Sequence, residues 1–326
     1  MSSAFLHEDS EFEPLIRIVA DKRRLSEGIV EKDYWVTHSL WSLKETGLAI
    51  YFKGGTSLSK GFGLIQRFSE DVDLTIDRGD RSDLPELGSL RSDTVGATEK
   101  RQAFFEALTL IIDIPGTTET KLLSPTDGRW ISVEYQVHYP KLFELPEGVH
   151  PFVRLEPGLR SWKPPVVSRN LTSFLHEHVL DVGLLEQYLD NRPADMNCVH
   201  PFVTLLDKLE SVVKRYARED LVPEEFIRHY EDLAHLIASV DEFPPLTSEV
   251  RQEVIANCLR GRKIHPDDPA FVLDDADRRS ELQAAYRDIA SMFWGTRVPL
   301  EDCCERIAKW LTENPIRGQR RAPDAG

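Results

Sequence analysis

The alternating run Asp71-Val72-Asp73-Leu74-Thr75-Ile76 constrains this chain more than any other stretch. Side chains alternate across a strand, so Asp71 and Asp73 share one face while Val72, Leu74 and Ile76 share the other. Such a strand needs a core against its apolar face and a counter-charge over its acidic one. Acids are depleted from strands, and two adjacent carboxylates repel each other. The usual reason for such a pair is one or two divalent cations. Upstream stands Lys53-Gly54-Gly55-Thr56-Ser57, a glycine turn with hydroxyls whose N–H and O–H groups suit a phosphate. Metal and phosphate together point to nucleotide chemistry. Two other readings fail. Thr75 and Asp77 continue the acidic face, but an EF-hand loop needs glycine where Ile76 stands and glutamate where Ser82 stands. A Walker phosphate loop needs a closing Gly-Lys-Ser/Thr that residues 54–59 lack.

The rest of the chain supplies enough material for two domains. It has 326 residues, and hydrophobic residues make up 41%, enough for a sizeable core. Apolar periodicity predicts a helix over residues 29–45, a short strand at 49–52, a helix over 58–66 and the acidic strand at 71–76. A polar excursion over 79–96 leads to a helix over 99–112, closed by Pro115-Gly116. Strands are expected over 130–137 and 153–156. Trp162-Lys163-Pro164-Pro165 has the character of a linker. Beyond residue 172 helical patterns dominate, over 202–218, 223–237, 280–294 and 299–311. The expectation is an α+β chain: a small mixed sheet with helices over residues 1–165, then an all-helical domain over 166–326. A basic tail after Asn314-Pro315 is expected to fray.

Composition excludes several classes. A net charge of -15 argues against a general nucleic-acid binder, though not against a local basic groove. Lys208, Lys214, Arg215, Arg218 and Arg228 form one basic cluster and Arg317, Arg320 and Arg321 another, both read first as solvated faces. Cys198, Cys258, Cys303 and Cys304 make no C-x-x-C pair and read as reduced thiols of a cytoplasmic protein. The N-terminus lacks the basic start and apolar run of a signal peptide, and no stretch reaches the length of a membrane span. His176-Glu177-His178 lacks the spacing of a zinc helix, and no nucleophile elbow appears. Ordinary readings also exist for Glu31-Lys32-Asp33-Tyr34-Trp35 as a plain helix, for Lys208 as a snorkelling lysine, and for Asp232 beside His229 as surface.

Lys53-Gly54-Gly55-Thr56-Ser57-Leu58-Ser59-Lys60, followed by Arg67-Phe68-Ser69-Glu70-Asp71-Val72-Asp73-Leu74, resembles the signature of the AbiEii/AbiGii nucleotidyltransferase toxin family. These are toxins of type IV toxin–antitoxin and abortive phage infection systems, MenT-like tRNA nucleotidyltransferases among them. Glu31-Lys32-Asp33-Tyr34-Trp35-Val36-Thr37 resembles the family's N-terminal helix. Lys208 and Asp232-Leu233 fall where the family has a lysine and a later aspartate, so the resemblance spans residues 29–237. Two departures stand out. The spacing from Gly55 to Asp71 is longer than in the broad superfamily, and His229-Tyr230-Glu231-Asp232-Leu233 replaces an Asp-x-x-Asp-Leu run.

The resemblance implies a nucleotidyltransferase-like N-terminal domain. It implies transfer of a nucleoside monophosphate from an NTP to an acceptor hydroxyl, foremost the tRNA 3′ end, with pyrophosphate leaving. Asp71, Asp73 and a third carboxylate would hold Mg²⁺. Glu156 and Glu134 are the candidates for the third, and Glu156 is preferred because Glu156-Pro157-Gly158-Leu159-Arg160-Ser161 resembles a family segment. Gly54, Gly55, Thr56, Ser57, Lys60 and Arg67 would serve the nucleotide. Lys208 would balance triphosphate charge, and Asp232 would position Lys208 or the base. A winged-helix antitoxin is the implied partner. Two alternatives remain: a nucleotidyltransferase acting on a protein or small molecule, and a non-catalytic homologue that only binds a partner.

Overall fold

The computed structural model describes residues 4–316. Arg317, Arg320 and Arg321 lie outside the described residues, as does the expected basic tail from position 317. The fold is α+β, with a seven-stranded mixed sheet and eleven α-helices among the described residues.

The chain begins with α1 (Phe12–Arg23) and α2 (Glu27–Glu45). Ser26 caps α2 by accepting from the Ile29 N–H. β1 (Ala49–Lys53), α3 (Gly54–Lys60) and β2 (Asp71–Asp77) follow. Then come α4 (Val95–Thr109), β3 (Glu119–Leu123), β4 (Glu134–His138), β5 (Val153–Gly158) and β6 (Val166–Arg169). α5 (Phe174–Asp181) and β7 (Met196–Val199) precede the helical run. That run is α6 (Pro201–Arg215), α7 (Pro223–Ala238), α8 (Ser248–Leu259), α9 (Pro269–Val272), α10 (Ala276–Asp288) and α11 (Leu300–Glu313).

The sheet order is β3-β4-β5-β2-β1-β7-β6. β2 lies antiparallel to β1 and parallel to β5, with Lys53 opposite Asp73, Arg154 opposite Asp71 and Glu156 opposite Asp73. β4 runs antiparallel to β5, and β3 antiparallel to β4. The apolar face of β2 does what its alternation predicts: Val72, Leu74 and Ile76 are buried. Leu74 and Ile76 share an apolar interior with Ile50, Leu108, Tyr135 and Leu155.

Contacts divide the chain into two compact units. The first takes the residues up to 61, then 68–161 and 168–198; the second takes 62–67, 162–167 and the residues from 199 onward. In the second unit α7 is the central element, packing with α6, α10 and α11. Its Phe226, Ile227, Tyr230, Leu233, Ala234 and Leu236 are all buried.

Local differences from expectation have physical causes. The helix expected at 58–66 forms earlier, at Gly54–Lys60. The Thr56 hydroxyl fixes it by donating to the Ser69 and Asp71 carbonyls at 3.0 and 2.5 Å. The strand expected from 130 begins at Glu134, because Trp130 takes a left-handed φ of 54° that no strand tolerates. Past residue 165, β6 and β7 continue the sheet before the helices begin.

Candidate active site

The acidic face of the sheet gathers charge from adjacent strands. Asp71 and Asp73 project from β2, and the parallel register puts Arg154 and Glu156 of β5 directly across from them. Glu134 opens β4, one strand further out. The guanidinium of Arg154 lies among them. Its Nη1 is 3.3 Å from Asp71 Oδ1 and 3.7 Å from Glu156 Oε1, and its Nε is 3.8 Å from Glu134 Oε2. Lys53 Nζ is 3.4 Å from Asp73 Oδ1. Burial pushes the Glu156 carboxyl up to about 7, with Asp73 and Asp71 adding to the rise and Arg154 and Lys53 opposing it. Of the two candidate third carboxylates, Glu156 is therefore the one that stands beside Asp73.

Gly54 makes this packing possible. Its φ is +75°, and a Cβ there would fall 1.9 Å from Asp73 Oδ2. Only a residue without a side chain lets the backbone come this close to the carboxylate. Gly55, Thr56 and Ser57 are buried in α3. The Thr56 hydroxyl is occupied by the two carbonyls of the chain leading into β2. Lys60 is turned elsewhere, 2.5 Å from Asp33 and 3.1 Å from the Thr172 carbonyl.

Among the described residues no group of three or more His, Cys, Asp or Glu side chains stands ready to hold a metal ion. The donor chemistry nevertheless fits a hard divalent cation. Asp71, Asp73 and Glu156 offer oxygen ligands from two hydrogen-bonded strands, and their mutual repulsion is what a cation relieves.

Arg67, Lys208 and Asp232 come together in the second unit. Arg67 donates from Nε and Nη2 to the two oxygens of Asp232, both at 2.8 Å, as a bidentate fork. Lys208 Nζ donates to Asp232 Oδ2 at 2.7 Å. Burial alone would push the Asp232 carboxyl up, but Arg67 and Lys208 outweigh it and hold it far below the usual carboxylate range. His229 bridges outward, with Nδ1 3.5 Å from Lys208 and Nε2 3.3 Å from Arg215. The surface readings of Lys208 and Asp232 do not hold, since these residues are 7% and 1% exposed.

The Glu31-Lys32-Asp33 run is not a plain helix surface either. Glu31 accepts from the Leu142 and Phe143 N–H groups at 2.8 and 3.1 Å. Lys32 donates to Glu70 at 2.5 Å and to the His150 carbonyl at 2.6 Å, and Glu70 also accepts from the His150 N–H at 2.8 Å. Asp33 pairs with Lys60 and accepts from the Phe174 N–H at 2.8 Å. Three consecutive charges on one helix, all buried, thus tie α2 to the chain at residues 60, 70, 142–150 and 174. One of these, residue 70, opens directly onto Asp71. A second network binds the other side of α2: Asn191 joins Tyr34, His38 and His176 at 3.1, 2.7 and 2.7 Å. Burial pushes His38 and His176 down to about 4. Both ring nitrogens of His176 are taken, Nδ1 by the Ser173 hydroxyl and Nε2 by Asn191, each at 2.7 Å, which makes it a core histidine. All four cysteines are buried thiols.

From sequence no individual role attaches to Arg154, Lys32, Glu70 or His150, although Lys32 and Glu70 lie within the motifs quoted above. The available signal was charge in the wrong place: an arginine between two apolar residues of a strand, and three charges in a helix without a polar stripe.

No helix among the described residues is long and apolar enough to cross a membrane. No curated protein matches the chain. The family model of the nucleotidyl transferase AbiEii toxin, type IV toxin–antitoxin system, matches residues 39–311. That span holds the acidic strand, the glycine helix, Glu156, Lys208 and Asp232, and the chain belongs to this family of nucleotidyltransferase toxins.

Proposed function

We propose that this protein transfers a nucleoside monophosphate from an NTP to the 3′ hydroxyl of a tRNA, in the cytoplasm, with Mg²⁺ held by Asp71, Asp73 and Glu156. The observation that carries the proposal is the pairing of Asp71 and Asp73 with Glu156 on neighbouring parallel strands, in a chain of this family. Bound there, a divalent cation neutralises triphosphate charge and polarises the transferred phosphoryl group. The chain's own residues supply the rest. Gly54 and Gly55 present backbone N–H groups to a phosphate, and the Thr56 hydroxyl holds α3 in place through the Ser69 and Asp71 carbonyls. Glu156 would share the metal and, across the register from Asp73, take the acceptor hydroxyl proton. Lys208 serves the triphosphate, while Asp232 and Arg67 fix its ammonium through the shared carboxylate. The activity is that of a toxin restrained by a cognate winged-helix antitoxin.

A second reading, transfer to a protein or small molecule, is favoured by the net charge of -15, which suits RNA poorly. One experiment separates the readings. The protein is incubated with each labelled NTP, Mg²⁺, total tRNA and cell extract. Label on RNA supports the tRNA acceptor; label on protein or small molecule supports the second reading; no label removes both. Asp71→Ala and Asp73→Ala are expected to lower transfer by at least ~3 kcal/mol of transition-state stabilisation, more than about 100-fold, with the fold intact. Labelling that survives either change overturns the metal assignment.

A further inference from the structure

Arg154 has no part in the chemistry above, yet it occupies the middle of the acidic face. Its contacts with Asp71, Glu156 and Glu134, at 3.3, 3.7 and 3.8 Å, are spread over three strands. None is the paired short fork that Arg67 makes with Asp232, and the Arg154 Nε has no hydrogen-bond partner. A forked guanidinium is anchored, whereas one held loosely by three partners is displaceable. Arg154 also has a partner outside the carboxylates. Its Nη2 donates to His150 Nε2. His150 is itself fixed by the Lys32–Glu70 pair through its backbone, and its ring stacks on Phe152 with centroids 5.2 Å apart. The guanidinium can therefore release the carboxylates without losing every partner.

We infer that Arg154 is the resident counter-ion of the Asp71–Glu156 cluster, and that a divalent cation binds there only by competing with its guanidinium. The inference rests on the metal-site reading above. Two positive centres on the same carboxylates repel each other, so Arg154 weakens metal binding while holding the empty cluster together. Its removal then has the opposite sign from removal of a ligand.

The test titrates Mn²⁺ alone, without nucleotide, and follows free Mn²⁺ by electron paramagnetic resonance at fixed ionic strength. Arg154→Gln is expected to bind Mn²⁺ at least tenfold tighter than the parent protein. Without metal it should melt at lower temperature, and Mn²⁺ should raise its melting temperature by more than it raises the parent's. Arg154→Lys keeps the charge but cannot bridge three carboxylates, and falls between the two; it also keeps the test open should the glutamine variant not fold. Mn²⁺ binding no tighter than the parent's in either variant overturns the inference. Asp71→Asn separates the two possible failures. Undiminished Mn²⁺ binding there sinks the metal-site reading itself, whereas lost binding there with no gain in Arg154→Gln sinks only the counter-ion role.

Discussion

Gly54→Ala is the most discriminating single change. A Cβ at this position falls 1.9 Å from Asp73 Oδ2, and real Cβ contacts essentially never fall below 3.0 Å. The Asp73 carboxylate must therefore retreat by about 1.1 Å, out of line with Asp71 and Glu156. A displacement near 1 Å costs on the order of 100-fold in rate when it falls on a group that positions the reaction. The added left-handed strain, at φ +75°, costs about 1–2 kcal/mol of stability. Gly47→Ala is the matched control. It has φ +74° and lies in the same unit, but nothing stands within 4 Å of its Cβ. Both variants should lose similar stability by urea unfolding. Only Gly54→Ala should lose nucleotide transfer, measured as initial rate with labelled NTP. If the two variants transfer at rates within about threefold of each other, the Gly54–Asp73 approach does not matter to the chemistry and the reasoning fails.

The remaining predictions concern stability. Lys32→Met or Glu70→Gln alone breaks a fully buried ion pair and should cost about 3–5 kcal/mol, while the double replacement recovers much of the loss. A double-mutant cycle by urea unfolding reads the coupling, and additive losses would refute it. His38 and His176 are held neutral in the fold, down to about 4 from the ordinary 6.5. The unfolded chain takes up protons that the fold refuses, so stability is full above pH 6.5 and drains away as pH falls toward 4, by up to about 3 kcal/mol per histidine. Urea midpoints measured from pH 7 to 5 should fall, and fall less steeply in His176→Gln; identical slopes would remove the histidines as the cause.

The alternation in β2 was readable because its period of two is a local property with one consequence: apolar residues inside, acids on the other face. Gly54 was also conspicuous, but its position at the entry of a helix was not. That helix is held by the Thr56 hydroxyl bonding to chain 13 and 15 residues ahead, which local propensity does not register. Lys208 and Asp232 were singled out by the resemblance, but their burial was not legible, because a charge shows no burial until its partner is known. Here that partner is Arg67, 165 residues from Asp232. Arg154 shares the half-buried face of β5 with Glu156, between the buried Val153 and Leu155, and nothing local reveals Asp71 across the register. β7 has four residues and pairs in parallel with β1 about 145 residues earlier, a link that no window along the sequence contains.

The six residues 62–67 have a consequence for how the molecule is made. They join the glycine helix to the acidic strand, yet their contacts belong with the helices from residue 199 onward. Trp294 donates to the Gln66 carbonyl, Arg67 bridges to Phe293, and the Arg67 guanidinium is neutralised by Asp232. A ribosome that has completed the first 200 residues has made Asp71, Asp73 and Glu156 but not Asp232, Phe293 or Trp294. The short span between α3 and β2 meets Asp232 only when α7 is made, and Phe293 and Trp294 only later still. Because segments of the two units alternate along the chain, no single cut separates one unit from the other.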